Sequence, residues 1–235
     1  MTLPYSKIGI IGAMDVEVET LKDQMKLAGD VVETSRIGMS FFEGELGCHD
    51  VVVVKCGVGM VNAATCTQTL ISEFECDAVI NTGVAGSLDP RIEIGDIVIG
   101  TDAVNHVMDV ENLGYAPGQT PDLETRFFPT DEALGRAIEH AASELGIETH
   151  TGRIASGDRF VRNADDKKRI VDLFEARCCE MEGAAIAQVC WLGQIPCALV
   201  RAISDKADGS ASIDYPTFER KAAHNCASLV LEVLK

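Results

Sequence analysis

Short runs of β-branched and other apolar residues recur along the chain with almost no polar alternation: Ile8 to Ile11, Val51 to Val54, Ala78 to Ile80, Ile97 to Ile99 and Ala198 to Val200. Between them lie segments of helical period, at Asp15 to about Leu27, Val61 to about Phe74, Asp131 to Leu145, Asp165 to Leu173, Ala184 to Trp191 and Phe218 to Leu234. Runs without alternation suit strands covered on both faces, and short βα alternation favours a parallel sheet with helices on each side. The pattern predicts an α/β fold of three layers, α/β/α, around a mostly parallel mixed central sheet. Thr34 to Leu46 departs from it, alternating through Met39, Phe41 and Glu43 as antiparallel strands do. A further strand is expected near Ile154. At 235 residues and 46% hydrophobic content, residues 1–235 are expected to form a single domain.

Charge and cysteine usage remove several function classes. The formal net charge of −17, with no cluster of Lys and Arg, argues against a nucleic-acid partner. Met1 to Lys7 has no charged leader or apolar run, and no stretch reaches the roughly 18 apolar residues of a membrane span. Nine cysteines without zinc spacing, among them Cys56, Cys66, Cys190 and Cys197, read as small core residues in a reducing cytoplasm. No metal, cofactor or membrane association is expected. Asn105 to Phe128 differs from the rest, broken by Gly114, Pro117, Gly118 and Pro121 yet carrying Leu113, Tyr115, Phe127 and Phe128. A long irregular segment with aromatics predicts a lid or a dimer contact rather than a linker.

In parallel α/β sheets ligands bind beyond the carboxyl ends of strands. Three such ends carry glycine turns, at Gly12-Ala13-Met14, Gly57-Val58-Gly59-Met60 and Gly83-Val84-Ala85-Gly86, which let a ligand approach the backbone. The third glycine of a dinucleotide fingerprint is missing, and no Gly-Lys-Ser/Thr loop is present for a triphosphate. Glu180, Glu182 and Asp205 sit beside segments expected to be buried, where an ionised carboxylate costs several kcal/mol unless paired, ligand-bound or protonated. Each has a plainer reading. Glu17 suits the first turn of a helix, Glu180 an ion pair, Asp205 a cap for the segment from Asp208 to Ser212, and Met14 and Met60 core filler.

Taken in order, Ile10 to Met14 with Glu17, Asn81-Thr82-Gly83-x-Ala85-Gly86, Gly95 to Val98, Ser156-Gly157-Asp158-x-Phe160, Glu180-Met181-Glu182 and Arg201 to Asp205-x-Ala207-Asp208 resemble the 5'-methylthioadenosine/S-adenosylhomocysteine nucleosidases. The resemblance runs essentially end to end. It implies a nucleoside phosphorylase-like fold, a homodimer, and hydrolysis of the N-glycosidic bond of adenine thio-nucleosides. It further implies that Asp205 protonates adenine N7, Glu17 activates water and Glu182 binds the ribose hydroxyls. Met181, Phe160 and backbone near Val161 would contact sugar and base, with Ser204 and Arg201 in support and Glu180 and Met14 close by. Val58, Ala85 and Gly86 would form the floor, Tyr215 would flank the 5' substituent, and Val110, Leu113 and Pro121 would enter a neighbouring subunit's pocket.

Those roles suit the chemistry. Adenine leaves poorly as an anion, and general-acid help is typically worth about 10²–10⁴ in rate. A free Asp ionises near pH 3.9, so keeping the proton to neutrality requires the anion to be destabilised by about 4 kcal/mol. An anionic Glu182 stabilises positive charge developing on the ribose more than it does the ground state. Two positions depart from the family pattern. Val84 stands where many relatives have a Ser that steadies the acid, and Leu113 where some have Phe. Two rivals stay open: a phosphate-dependent nucleoside phosphorylase, disfavoured by glycine turns without Arg, Lys or Ser between their glycines, and a non-catalytic adenine-nucleoside binder.

Overall fold

The computed structural model describes residues 3–235. The chain runs β1 (Lys7–Gly12), α1 (Asp15–Ala28), β2 (Val32–Arg36), β3 (Met39–Leu46), β4 (His49–Lys55), α2 (Met60–Ser72), β5 (Ala78–Ser87) and β6 (Ile97–Asn105). After an irregular segment with one 3₁₀ turn at Glu111–Leu113 come β7 (Phe128–Pro129), α3 (Glu132–Glu144), β8 (Thr149–Ser156), α4 (Ala164–Phe174), β9 (Cys178–Glu180), α5 (Gly183–Gly193), β10 (Cys197–Asp205) and α6 (Ala211–Val233).

The predicted three layers are present. β1 pairs in parallel with β4 and β5, β5 with β10, and β8 with both β6 and β9. The expected antiparallel margin is β2–β3–β4. Strand periodicity sorts side chains to two helical layers. Ile8, Ile10, Val53, Ile80 and Val200 pack toward Leu21, Met25, Ile138, Leu229 and Val230 of α1, α3 and α6. Ile11, Val52, Val54, Val79 and Leu199 pack toward Cys66, Leu70, Ile186 and Cys190 of α2 and α5. Gly9 lets α2 close on β1, because a Cβ there would meet Leu70 Cδ1 at 2.9 Å.

The sheet is not open along its whole length. β10 pairs with β5 on one side and, antiparallel, with β6 on the other, while β9 joins β8 to the end of β5, so β5, β10, β6, β8 and β9 form a closed ring. β9 supplies the closure and is three residues long, too short for a periodicity to reveal; β7 escapes the sequence reading for the same reason. Helix α6 begins at Ala211, not near Phe218 as expected. Pro216 lies inside it, although proline removes one backbone donor and crowds the preceding turn.

Residues 106–127 leave the sheet but are tied to it. The guanidiniums of Arg153 and Arg126 lie over the Phe127 ring, 3.5 and 4.6 Å from its centroid. Gly118, at φ +79°, packs where a Cβ would meet Val104 Cγ2 at 2.8 Å. Eight cysteines are buried and Cys48 is exposed; all nine are free thiols. Among the described residues no helix is long and apolar enough to cross a membrane.

Candidate active site

The strand ends converge on one cleft of about 90 Å³. The turn after β1 contributes Ala13 and Met14, the turn after β4 contributes Val58, and β5 contributes Val84, Ala85 and Gly86. Ser204 and Asp205 come from β10, Glu180 to Glu182 from β9 and the turn into α5, Phe160 and Val161 from the segment before α4, and Tyr215 from α6. Glu17 closes its inner end. Of the predicted site residues within one chain, Arg201 alone is off the wall; it lies behind the cleft, 2% exposed. Val110, Leu113 and Pro121 do not line it, and Leu113 is 65% exposed.

Glu17 occupies the third position of α1 and reaches back to the helix start, accepting from Met14 N–H at 3.0 Å and Ala13 N–H at 2.6 Å through Oε2. This is half of a capping box, so the plainer helix-start reading holds as well. Its Oε1 accepts from Val84 N–H at 3.0 Å, linking α1 to β5. Gly83 permits the approach, because a Cβ there would meet Oε1 at 2.7 Å. Burial raises the Glu17 pKa above the usual carboxylate value, opposed by the Arg201 charge and the three backbone donors.

Glu180 and Glu182 are two residues apart and are treated oppositely. Glu180 Oε2 accepts from Arg201 Nη2 at 2.7 Å, Gly183 N–H at 2.8 Å and Glu182 N–H at 3.0 Å, while Oε1 accepts from Ser156 Oγ. Burial alone would raise its pKa, but Arg201 and these donors bring it below the ordinary value. Three of these donors meet Oε2 and one meets Oε1, so the carboxylate is held from the protein side. The ion pair given as the plainer reading of Glu180 is present, and the residue also lines the cleft. Arg201 places three further donors on Val200 O (2.8 Å), Asn81 O (3.1 Å) and Asn81 Oδ1.

Glu182, at the start of α5, accepts from Gly59 N–H at 2.7 Å through its Oε1. Burial, followed by the negative charge of Glu180, pushes its pKa up to about 8. Gly59 is at φ +103°, a conformation that favours glycine. Next to it, Asp158 Oδ1 accepts from Met60 N–H at 2.8 Å and holds the start of α2, a structural task.

Asp205 is 2% exposed at the end of β10. Its Oδ2 accepts from Ser204 Oγ at 3.0 Å and its Oδ1 from Ala207 N–H at 2.8 Å. Without a Ser at position 84, the carboxyl is held by its own turn. A Cβ at Gly86 would meet Asp205 Oδ1 at 2.7 Å, so this glycine makes room for the acid. Burial raises the Asp205 pKa, with the charges of Asp214 and Asp208 adding to it. At the mouth, Phe160 and Tyr215 meet edge to face at 5.4 Å, and Tyr215 Oη donates to Glu219 Oε1 at 2.8 Å.

Arg159 and Cys179 also line the cleft and were not anticipated. Arg159 pairs with Asp166 at 2.5 Å, and no sequence signal marks either residue. The cleft therefore gathers four buried carboxyl groups, and the one buried arginine beside them is committed to Glu180. Such a site can give up a proton at one end and accept one at the other.

The sequence and the fold are shared with known proteins. The family model of the phosphorylase superfamily matches residues 7–235. A 5'-methylthioadenosine/S-adenosylhomocysteine nucleosidase of Geobacillus kaustophilus is 41% identical over 230 residues, covering 97% of this chain and 96% of its own length. One of Staphylococcus haemolyticus is 38% identical over 229 residues, with 97% and 99% covered. The crystal structure of the Neisseria meningitidis nucleosidase in complex with methylthio-immucillin-A superposes with a TM-score of 0.94 at 41% identity, covering 98% of this chain and 99% of that one. The chain belongs to the phosphorylase superfamily and, within it, to the 5'-methylthioadenosine/S-adenosylhomocysteine nucleosidase family.

Proposed function

We propose that the chain hydrolyses the N-glycosidic bond of adenine thio-nucleosides, 5'-methylthioadenosine and S-adenosylhomocysteine, releasing adenine and a thioribose. The observation that carries this reading is the meeting of Glu17, Glu182 and Asp205 in one cleft whose buried cation is already paired with Glu180. The relatives' shared name and the analogue in the Neisseria meningitidis structure support the same substrate class.

In this reading Asp205 gives its proton to adenine N7 as the bond to the anomeric carbon breaks. Burial raises its pKa above the ordinary Asp value, the direction that a proton donor requires. A water adds to the anomeric carbon, and Glu17 receives the water's proton. Ribose hydroxyls donating to Glu182 favour its anion, which then steadies the sugar cation. Met181 and Phe160 flank sugar and base, with Val161 beside the base. Ser204 and Arg201 act as supports. Ala85, Gly86 and Val58 form the floor, and Met14 and Tyr215 border the 5' group. A cleft of about 90 Å³ is small against the roughly 300–1,000 Å³ usual for ligand sites, and Phe160, 43% exposed, is a side chain whose movement would enlarge it.

We further take the protein to act as a single unit along its length and as a homodimer in which Val110, Leu113 and Pro121 of one copy complete the other's thioalkyl pocket. The exposure of Leu113, Val58 and Val61 supports that arrangement. A reducing, cytoplasmic setting fits nine free thiols. Phosphate attack is disfavoured because the guanidinium on the cleft wall, Arg159, is bound to Asp166. The test is adenine release from 5'-methylthioadenosine in phosphate-free buffer, followed by chromatography. Turnover is expected without phosphate, and strict phosphate dependence would reverse the assignment.

A further inference from the structure

The peptide unit between Lys206 and Ala207 faces two ways. Its N–H donates to Asp205 Oδ1 at 2.8 Å, and its carbonyl, on the opposite edge, accepts from Lys167 Nζ at 2.6 Å. Because the peptide is planar, fixing the carbonyl fixes the direction of the N–H. Ala207 is at φ +49°, a left-handed conformation that a residue with a Cβ disfavours, so this turn needs support from outside. Lys167 reaches it from α4 and also donates to Ser87 O at the end of β5, at 2.9 Å. The lysine thus ties the turn to the strand that carries Gly83 to Gly86. A second lysine acts in the same direction: Lys206 Nζ donates to Ile92 O at 2.6 Å and to Glu93 Oε2 at 2.8 Å.

Lys167 is half-buried, and its two hydrogen-bond partners are backbone carbonyls rather than a carboxylate. A cation on a peptide oxygen polarises that peptide and strengthens the hydrogen bond its N–H makes on the other side. Position 84 carries Val, whose side chain has no donor for Asp205. The orientation of the carboxyl therefore depends on this peptide and on Ser204.

We propose that Lys167 is a positioning residue for the reaction, acting through the 206–207 peptide to aim the Asp205 carboxyl into the cleft. The proposal rests on the reading of Asp205 as the proton donor. It is tested by measuring kcat and KM for 5'-methylthioadenosine in Lys167→Met, Lys167→Arg and Asp205→Asn, with circular dichroism melting of each. In Lys167→Met, kcat is expected to fall at least five-fold with KM within about two-fold. Lys167→Arg, which keeps donors at the position, is expected to recover most of that loss. A smaller fall in kcat, an equal loss in the Met and Arg variants, or failure of Lys167→Met to fold overturns the proposal, since the lysine would then be neutral to the acid or a tie for the fold alone. If Asp205→Asn keeps its turnover, the reading of the acid itself fails. If it loses turnover while Lys167→Met does not, only the role of the lysine fails.

Discussion

The two ends of the cleft are built differently. At the glutamate end, Glu17 and Glu180 are held by seven hydrogen bonds from backbone, Ser156 and Arg201, drawn from β1, β5, β8, β10 and the turn into α5. At the aspartate end, Asp205 has one hydroxyl and one backbone N–H, both from its own turn. Donors aimed at a carboxylate stabilise its anion, and burial without them stabilises the acid. The difference therefore sorts the groups chemically. Glu180, with a cation and three further donors, has its pKa lowered; Asp205, with few donors and acidic neighbours, has its pKa raised.

Breaking the aspartate end should have the largest effect on turnover. Asp205→Asn preserves shape but cannot give up a proton as the acid does, so kcat is expected to fall by about 10²–10⁴ while adenine binding, read by calorimetry, survives. The glutamate end should instead break the fold. Arg201→Met leaves Glu180 buried without its cation, and removing one partner of a buried pair typically costs about 3–5 kcal/mol. Urea unfolding measures it, and a change under about 1 kcal/mol would mean that the pair is solvated or replaced. Gly83→Ala is milder. Its Cβ would press on Glu17 Oε1, so a loss of about 1–3 kcal/mol and a fall in kcat larger than the change in KM are expected.

Much of this comparison was legible in the sequence, for a physical reason. Strands buried on both faces are written as unbroken apolar runs, and the residues that end them, Glu17, Gly83 to Gly86 and Asp205, are next to those runs in the chain. What could not be read is whatever depends on elements too short to have a period or on contacts between distant segments. β9 is three residues long, yet it closes the ring and sets Glu180 against Arg201. The first turns of α6, from Ala211 through Pro216, lie outside the helix expected from Phe218. Cys179 reaches the site because β9 pairs with β5, Lys167 because its side chain spans from α4 to Ser87 and Lys206, and Arg159 because the segment before α4 borders the cleft; neither pattern nor spacing carries that information. Glu180 was ambiguous for the same reason: its partner is 21 residues away, and only the geometry shows the pair.

The smallest expected effect separates function from stability at Glu182. An unfolded Glu gives up its proton near pH 4.3, whereas in the folded chain burial and the neighbouring Glu180 hold the proton to about pH 8. Between those values the native state binds more protons than the unfolded one, so this residue makes the protein less stable as pH rises from about 4.5 to 8, with no further change above that range. Glu182→Gln removes the titration while its side-chain carbonyl can still accept from Gly59 N–H. The variant is expected to melt higher than the parent, by a few degrees at pH 8 and by little or nothing at pH 5, and to lose turnover at both. Melting curves at the two pH values decide it. An equal shift at both would mean that Glu182 is not held protonated by burial, and the glutamate end would then contain a second anion beside Glu180.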